Sequence, residues 1–91
     1  MTKDSFNKLR SELISIQYEG DGASSFYSLR SFIDNVIKDI EKDINGTATA
    51  YKGVFRDIST DISKGANKKS NSFLKYKKEI LSQLDLLSEY L

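Results

Sequence analysis

Asp34, Asp39, Glu41 and Asp43 form the densest acidic cluster of the chain. Carboxylates this close can hold a divalent cation or divide acid and base roles between them. Lys38 and Lys42 are interleaved with them. On a helix, Asp34–Lys38 and Asp39–Lys42 are neighbours at i,i+4 and i,i+3, as are Asp39 and Asp43. The cluster therefore reads as a solvated helix face of mixed charge.

Other chemistries lack their groups. The chain has no His and no Cys, so the commonest proton shuttle, a thiolate nucleophile and the usual zinc sets are missing. No Ser sits in G-x-S-x-G and there is no P-loop. Gly20-Asp21-Gly22 supplies the first half of G-x-G-x-x-G, with Ser25 where the third Gly belongs and no strand before it. The expectation is a protein that is not an enzyme and uses no cofactor, metal or small-molecule substrate.

Lys64, Lys68, Lys69, Lys75, Lys77 and Lys78 lie between Ile62 and Glu79 with no acid among them. On a helix, Lys64, Lys68, Lys75 and Lys78 fall on the side away from Ile80 and Leu84. Such a side can meet phosphates or an acidic partner. Fourteen basic against thirteen acidic residues leave a net charge of +1, which disfavours nucleic acid as the partner. A solvated face opposite the core is the simpler reading, and Phe73 and Tyr76 point to the apolar side as core rather than as stacking platforms.

The elements that must carry these residues are helical. Proline is absent, and no alternating β-branched run suggests a strand. Phe6, Leu9, Leu13 and Ile16 mark one face of a helix over 4–17, capped by Asp4 or Ser5 and ended at Gly20-Asp21-Gly22. A second helix opens at Ser24 or Ser25 with Phe26, Leu29, Ile33, Ile37, Ile40 and Ile44 on its face. The same phase continues through Ala48, Tyr51, Phe55, Ile58 and Ile62. Lys64 and Gly65 suit a helix C-terminus. Ser70 or Asn71 then caps a last helix with Phe73, Tyr76, Ile80, Leu84, Leu87 and Leu91 on its face and Leu81 on the flank.

The fold class is all-α, a single domain over 1–91, with two arrangements open. An unbroken central helix over 24–64, ~60 Å long at 1.5 Å per residue, gives an antiparallel hairpin with shorter helices folded on it. The fold class thus spans an antiparallel hairpin or a small three-to-four-helix bundle with a long central helix; a break at Gly46 gives instead a self-contained four-helix bundle. In the first, two-helix layers cannot bury the whole stripe. Ile33, Ile37, Ile40, Tyr51, Phe55, Ile58, Ile80, Leu84 and Leu87 are then shared between core and an interface with another helical protein. No segment approaches the ~20 apolar residues of a membrane span. The amphipathic N-terminus lacks the apolar core of an ordinary secretory signal. The expected location is the cytoplasm, or outside the cell by a route without a cleaved signal.

The stretch Tyr18-Glu19-Gly20-Asp21-Gly22-Ala23, followed by Phe26, resembles the turn of the WXG-type and LXG-type helical proteins of type VII secretion. Tyr18 takes the large first position, Gly20 the glycine, Gly22 and Ala23 the small pair, and Phe26 the following anchor; Ile44-x-Gly46 is a weaker second candidate. No Trp occupies the turn, and Tyr76 has Ile80 where the family's export signal has an acid. The resemblance implies a small partner or targeting factor for a larger LXG-like effector, or a minor secreted dimer, acting by helix–helix association. The alternative is a bacteriocin-type immunity protein, a self-contained four-helix bundle of similar size.

Overall fold

Thr2 starts the fold: its hydroxyl accepts from the Ser5 N–H at 3.1 Å, and Ser5 Oγ accepts from the Thr2 N–H at 2.9 Å. This reciprocal capping box satisfies two donors that a helix start leaves free, and its cap, Thr2, precedes the expected Asp4 or Ser5 by two or three residues. The computed structural model describes residues 1–42, 48–64 and 69–91. Four helices follow, α1 (Lys3–Ser15), α2 (Ala23–Glu41), α3 (Tyr51–Lys64) and α4 (Ser70–Ser88), with no strand among the described residues. The cap of α4 is Lys69, not Ser70 or Asn71, which lie in its first turn.

The helices form a small antiparallel bundle. α1 runs opposite to α4, since Arg10 meets Asp85 while Lys77 reaches the end of α1. α3 runs opposite to α4, with Tyr51 against Tyr90 and the Tyr76 hydroxyl directed at the Asp61 carbonyl. α2 and α4 touch each other and both remaining helices, so α1 and α3 occupy opposite corners.

The unbroken central helix does not form. α2 ends at Glu41, with Lys42 as its C-cap, and a turn over 48–50 leads into α3. A rod of ~60 Å would also overrun a molecule whose longest extent is 40 Å. Gly46, Ile44 and Gly65 lie outside the described residues. Folding the stripe back lets its two halves bury each other, α2 against α3, which is the gain a straight rod forgoes.

Burial is nearly complete within one chain. Phe26, Leu29, Ile33, Ile37, Ile40, Ala48, Phe55, Ile58, Ile62, Phe73, Ile80, Leu84 and Leu87 all lie in one core with Leu9 and Leu13. Phe32 and Val36, which lie off the predicted stripe, are buried as well. A helix covered by three others needs an apolar surface wider than one stripe.

The core predicts two opposite outcomes. Phe55 is fully buried, and placing a carboxylate there costs several kcal/mol on top of the lost packing, against a total stability of about 5–15 kcal/mol; Phe55→Asp should leave the chain unfolded by circular dichroism. Gly53 lies within α3 and an added Cβ there meets nothing within 4 Å. Gly53→Ala should therefore raise the urea midpoint, by about 0.8–1.0 kcal/mol of helix propensity.

Candidate functional site

The connection from α1 to α2 is held from inside. Its two glycines adopt left-handed backbone, Gly20 at φ 57° and Gly22 at φ 86°, a region that costs other residues roughly 1–2 kcal/mol. The Gly22 N–H donates to the Glu19 carbonyl at 2.9 Å, and the Ala23 N–H donates to Asp21 Oδ1 at 3.0 Å. Ser25 is 3% exposed; its hydroxyl accepts from the Glu19 N–H at 2.8 Å and donates to the Gln17 carbonyl at 3.0 Å. One small side chain thus satisfies two backbone groups in a non-helical segment, where no ladder would do so.

The end of α1 is closed by a residue of α4. α1 stops at Ser15, two residues before its expected end, and the chain turns extended at Ile16. Lys77 Nζ donates to the carbonyls of Ile14 at 3.0 Å and Ile16 at 2.7 Å. A cation there meets the unpaired carbonyls and partial negative charge of a helix C-terminus. The same ammonium stands 6.0 Å from the centre of the Phe73 ring.

The residues of the predicted turn motif, Tyr18, Gly20, Gly22 and Phe26, gather at this end of the bundle. Tyr18 and Phe26 share Phe73 as their platform, with ring centres 5.8 and 6.0 Å apart and edge-on geometry. Phe26 also meets the Tyr76 ring at 6.3 Å. Edge-on pairs of this kind contribute about 0.5–1.5 kcal/mol each beyond area burial. The turn is therefore docked on α4 as well as joining α1 to α2.

The stripe residues occupy a different place from the one expected of an interface. Ile33, Ile37, Ile40, Phe55, Ile58, Ile80, Leu84 and Leu87 are buried in the chain's own core. Tyr51 alone among them reaches the surface, half-buried against the Tyr90 ring at 6.1 Å. The expectation that a second polypeptide must cover this stripe is corrected here: the fold-back of α3 on α2 covers it. Partial burial, then the Tyr90 hydroxyl and the Glu89 charge, hold the Tyr51 hydroxyl above its ordinary pKa.

Among the described residues, Ile14, Tyr27, Val54, Leu74, Leu86 and Tyr90 are large hydrophobics left exposed. Leu74 lines a groove with Asn71, Lys75, Lys77, Lys78 and Leu81. Lys64, Lys75 and Lys78 are exposed while Ile80 and Leu84 are buried, as predicted; Lys68 lies outside the described residues. Asp34, Lys38, Glu41 and Lys42 are exposed, as expected of a solvated face, but Asp39 departs from it, half-buried with its Oδ2 shut off from solvent and without a hydrogen-bond partner among the described residues; Asp43 lies outside the described residues. Among the described residues no three carboxylates gather as a metal site, and no helix is long and apolar enough to cross a membrane.

Sequence reasoning names Ser25 as a helix start and Lys77 as one of six lysines but assigns neither its role here, and the cap of α2 is Gly22 rather than Ser24 or Ser25. Ser25 carries no periodic signal in Ala-Ser-Ser-Phe. Lys77 does carry one: it is four residues after Phe73 and three before Ile80, hence on the inner side of α4. No protein-family model matches the chain, and neither the curated proteins nor the solved structures yield a match. The site is accordingly defined by its own geometry, a closed helical bundle with a basic, part-apolar outer face on α4.

Ser25→Ala should lower unfolding stability by about 1–3 kcal/mol, because both Glu19 N–H and Gln17 C=O lose their partner. Gly20→Ala, where an added Cβ meets nothing within 4 Å, should cost only the backbone term of about 1–2 kcal/mol; urea denaturation measures both. The Tyr51 hydroxyl has a raised folded-state pKa, so its stabilising contribution is whole below the unfolded value of about 10 and is lost as pH rises through the folded value. Tyr51→Phe should remove one late-titrating phenol from the ultraviolet alkaline titration and flatten the alkaline loss of stability.

Proposed function

We propose that this chain is a small helical interaction protein that is complete as a monomer and acts by docking its preformed outer surface onto another protein. One observation carries this: the apolar stripe of α2, α3 and α4 is covered within a single copy. A bundle that needs no second chain to fold remains free to engage and release a partner, whereas an obligate dimer has its recognition surface permanently occupied.

Of the two settings raised by the sequence, the bacteriocin-type immunity protein fits this architecture better. It calls for a self-sufficient four-helix bundle, and the four helices here total a molecule only 40 Å long. The type VII secretion setting is favoured by a separate observation. The Gly20 and Gly22 positions adopt the left-handed backbone that its helix-joining turn would require, with Tyr18 and Phe26 anchored on one platform. In that setting the chain is a preassembled partner or targeting factor for a larger LXG-like effector, and it docks by its outer face rather than by its stripe.

Light scattering of the purified chain should return the mass of one copy, 10.3 kDa, at all concentrations tested. Co-expression with the product of the neighbouring gene should yield a stable complex. Rescue of a host poisoned by that product identifies immunity; co-export of the complex identifies secretion. An obligate dimer that dissociates only on unfolding would overturn the proposal.

A further inference from the structure

α1 is too short to cover α4. It has 13 residues against 19, about 20 Å against about 28 Å at 1.5 Å per residue. Arg10 pairs with Asp85 and the last turn of α1 meets Lys77, so α1 runs out there. Beyond that level the chain turns inward, where Tyr18 packs on Phe73. The N-terminal half of α4 is left with an uncovered flank, lined by Asn71, Leu74, Lys75, Lys78 and Leu81. Leu74 is 56% exposed.

The spacing of that flank sets two leucines on one side of α4, Leu74 exposed and Leu81 half-buried against the chain's own core. Leu74 and Leu81 stand seven residues apart, two helical turns on one face. With these leucines at heptad position d, Asn71 and Lys78 fall at a and Lys75 at e, the positions that meet a second helix and its charges. Lys77, at g, is already engaged with the α1 carbonyls. α4 contains no acid before Glu79, which lies beside Lys75 and Lys78, so the flank presents leucines in a net positive field.

We propose that this flank of α4 is the docking site for an acidic amphipathic helix of a partner protein, which extends the bundle along the line where α1 stops. The inference rests on the protein-binding role proposed above and names the surface and the chemistry of what it binds. The partner helix places apolar side chains against Leu74 and Leu81 and carboxylates opposite Lys75 and Lys78. A second copy of this chain does not fit, because a two-fold contact would set the same lysines against each other. A lipid surface fits less well: the groove lining holds two leucines and no aromatic anchor, and membrane-surface helices use a broad apolar face with aromatic residues.

The test uses a fluorescent, helix-forming peptide with Leu at its a and d positions and Glu at its e and g positions, and a sister peptide with Lys in place of Glu. The full-length protein should bind the Glu peptide and not the Lys peptide, with affinity falling as salt rises. Lys75→Glu/Lys78→Glu should weaken the Glu peptide at least about tenfold, roughly 1.4 kcal/mol, and confer binding of the Lys peptide. Leu74→Ser should weaken the Glu peptide in the wild-type protein and the Lys peptide in the lysine-reversed one. These side chains are outside the core, so unchanged circular dichroism and urea midpoint separate lost binding from lost folding. Binding of the Glu peptide that is indifferent to the lysine reversals, or no binding at all, overturns the inference. So does equal capture by anionic phosphatidylglycerol vesicles, or self-association abolished by Leu74→Ser. A native complex that forms with the neighbouring gene's product yet ignores Lys75→Glu/Lys78→Glu sinks this surface alone and leaves the proposed role standing.

Discussion

Everything in this bundle depends on how α2 is covered. Eight of its residues are buried, among them the adjacent pairs Phe32-Ile33 and Val36-Ile37. Adjacent residues on a helix point about 100° apart, so no single neighbour can shield both members of such a pair. α2 therefore has to be enclosed by α1, α3 and α4. That enclosure sets the cross-section, keeps α1 and α3 at opposite corners, and turns a chain with a modest core into one that buries its own stripe.

The same constraint explains the turn between α1 and α2. Enclosing α2 requires α1 to lie beside it and α4 at once, so the intervening residues cannot simply cap two helices. Gly20 and Gly22 supply the left-handed backbone, Ser25 satisfies the backbone groups left without a helix, and Phe73 receives Tyr18 and Phe26 from the other side. Lys77 closes the end of α1 from the fourth helix. The Lys77 and Phe73 contacts at this end are long-range in sequence, whereas those of Ser25 span six and eight residues.

Function follows from what the enclosure leaves over. A stripe spent on the interior cannot also be an interface, so the proposed recognition surface lies at the rim, where α1 runs short and α4 continues. Arg10 pairs with Asp85 further along α4, while α4 before Glu79 carries positive charge alone. A bundle that covers its stripe within one copy is suited to the reversible partner proposed above, a different physical arrangement from the paired hairpins that the glycine turn resembles.

The helix faces were legible in the residues themselves. Phe26, Leu29, Ile33, Ile37 and Ile40, and likewise Phe73, Ile80, Leu84 and Leu87, repeat at steps of three and four because a helix brings those positions to one side. The outward place of Lys75 and Lys78 follows from the same geometry. The end of α2 at Glu41 did not follow, because Ile44, Ala48, Tyr51 and Phe55 continue its phase without interruption, and periodicity is blind to a reversal that preserves it. Nor did the burial of Phe32 and Val36, the seat of Ser25 or the reach of Lys77. Local spacing determines which side of each helix is apolar; which helix covers it, and what is left uncovered, is decided only when the whole chain competes to remove that surface from water.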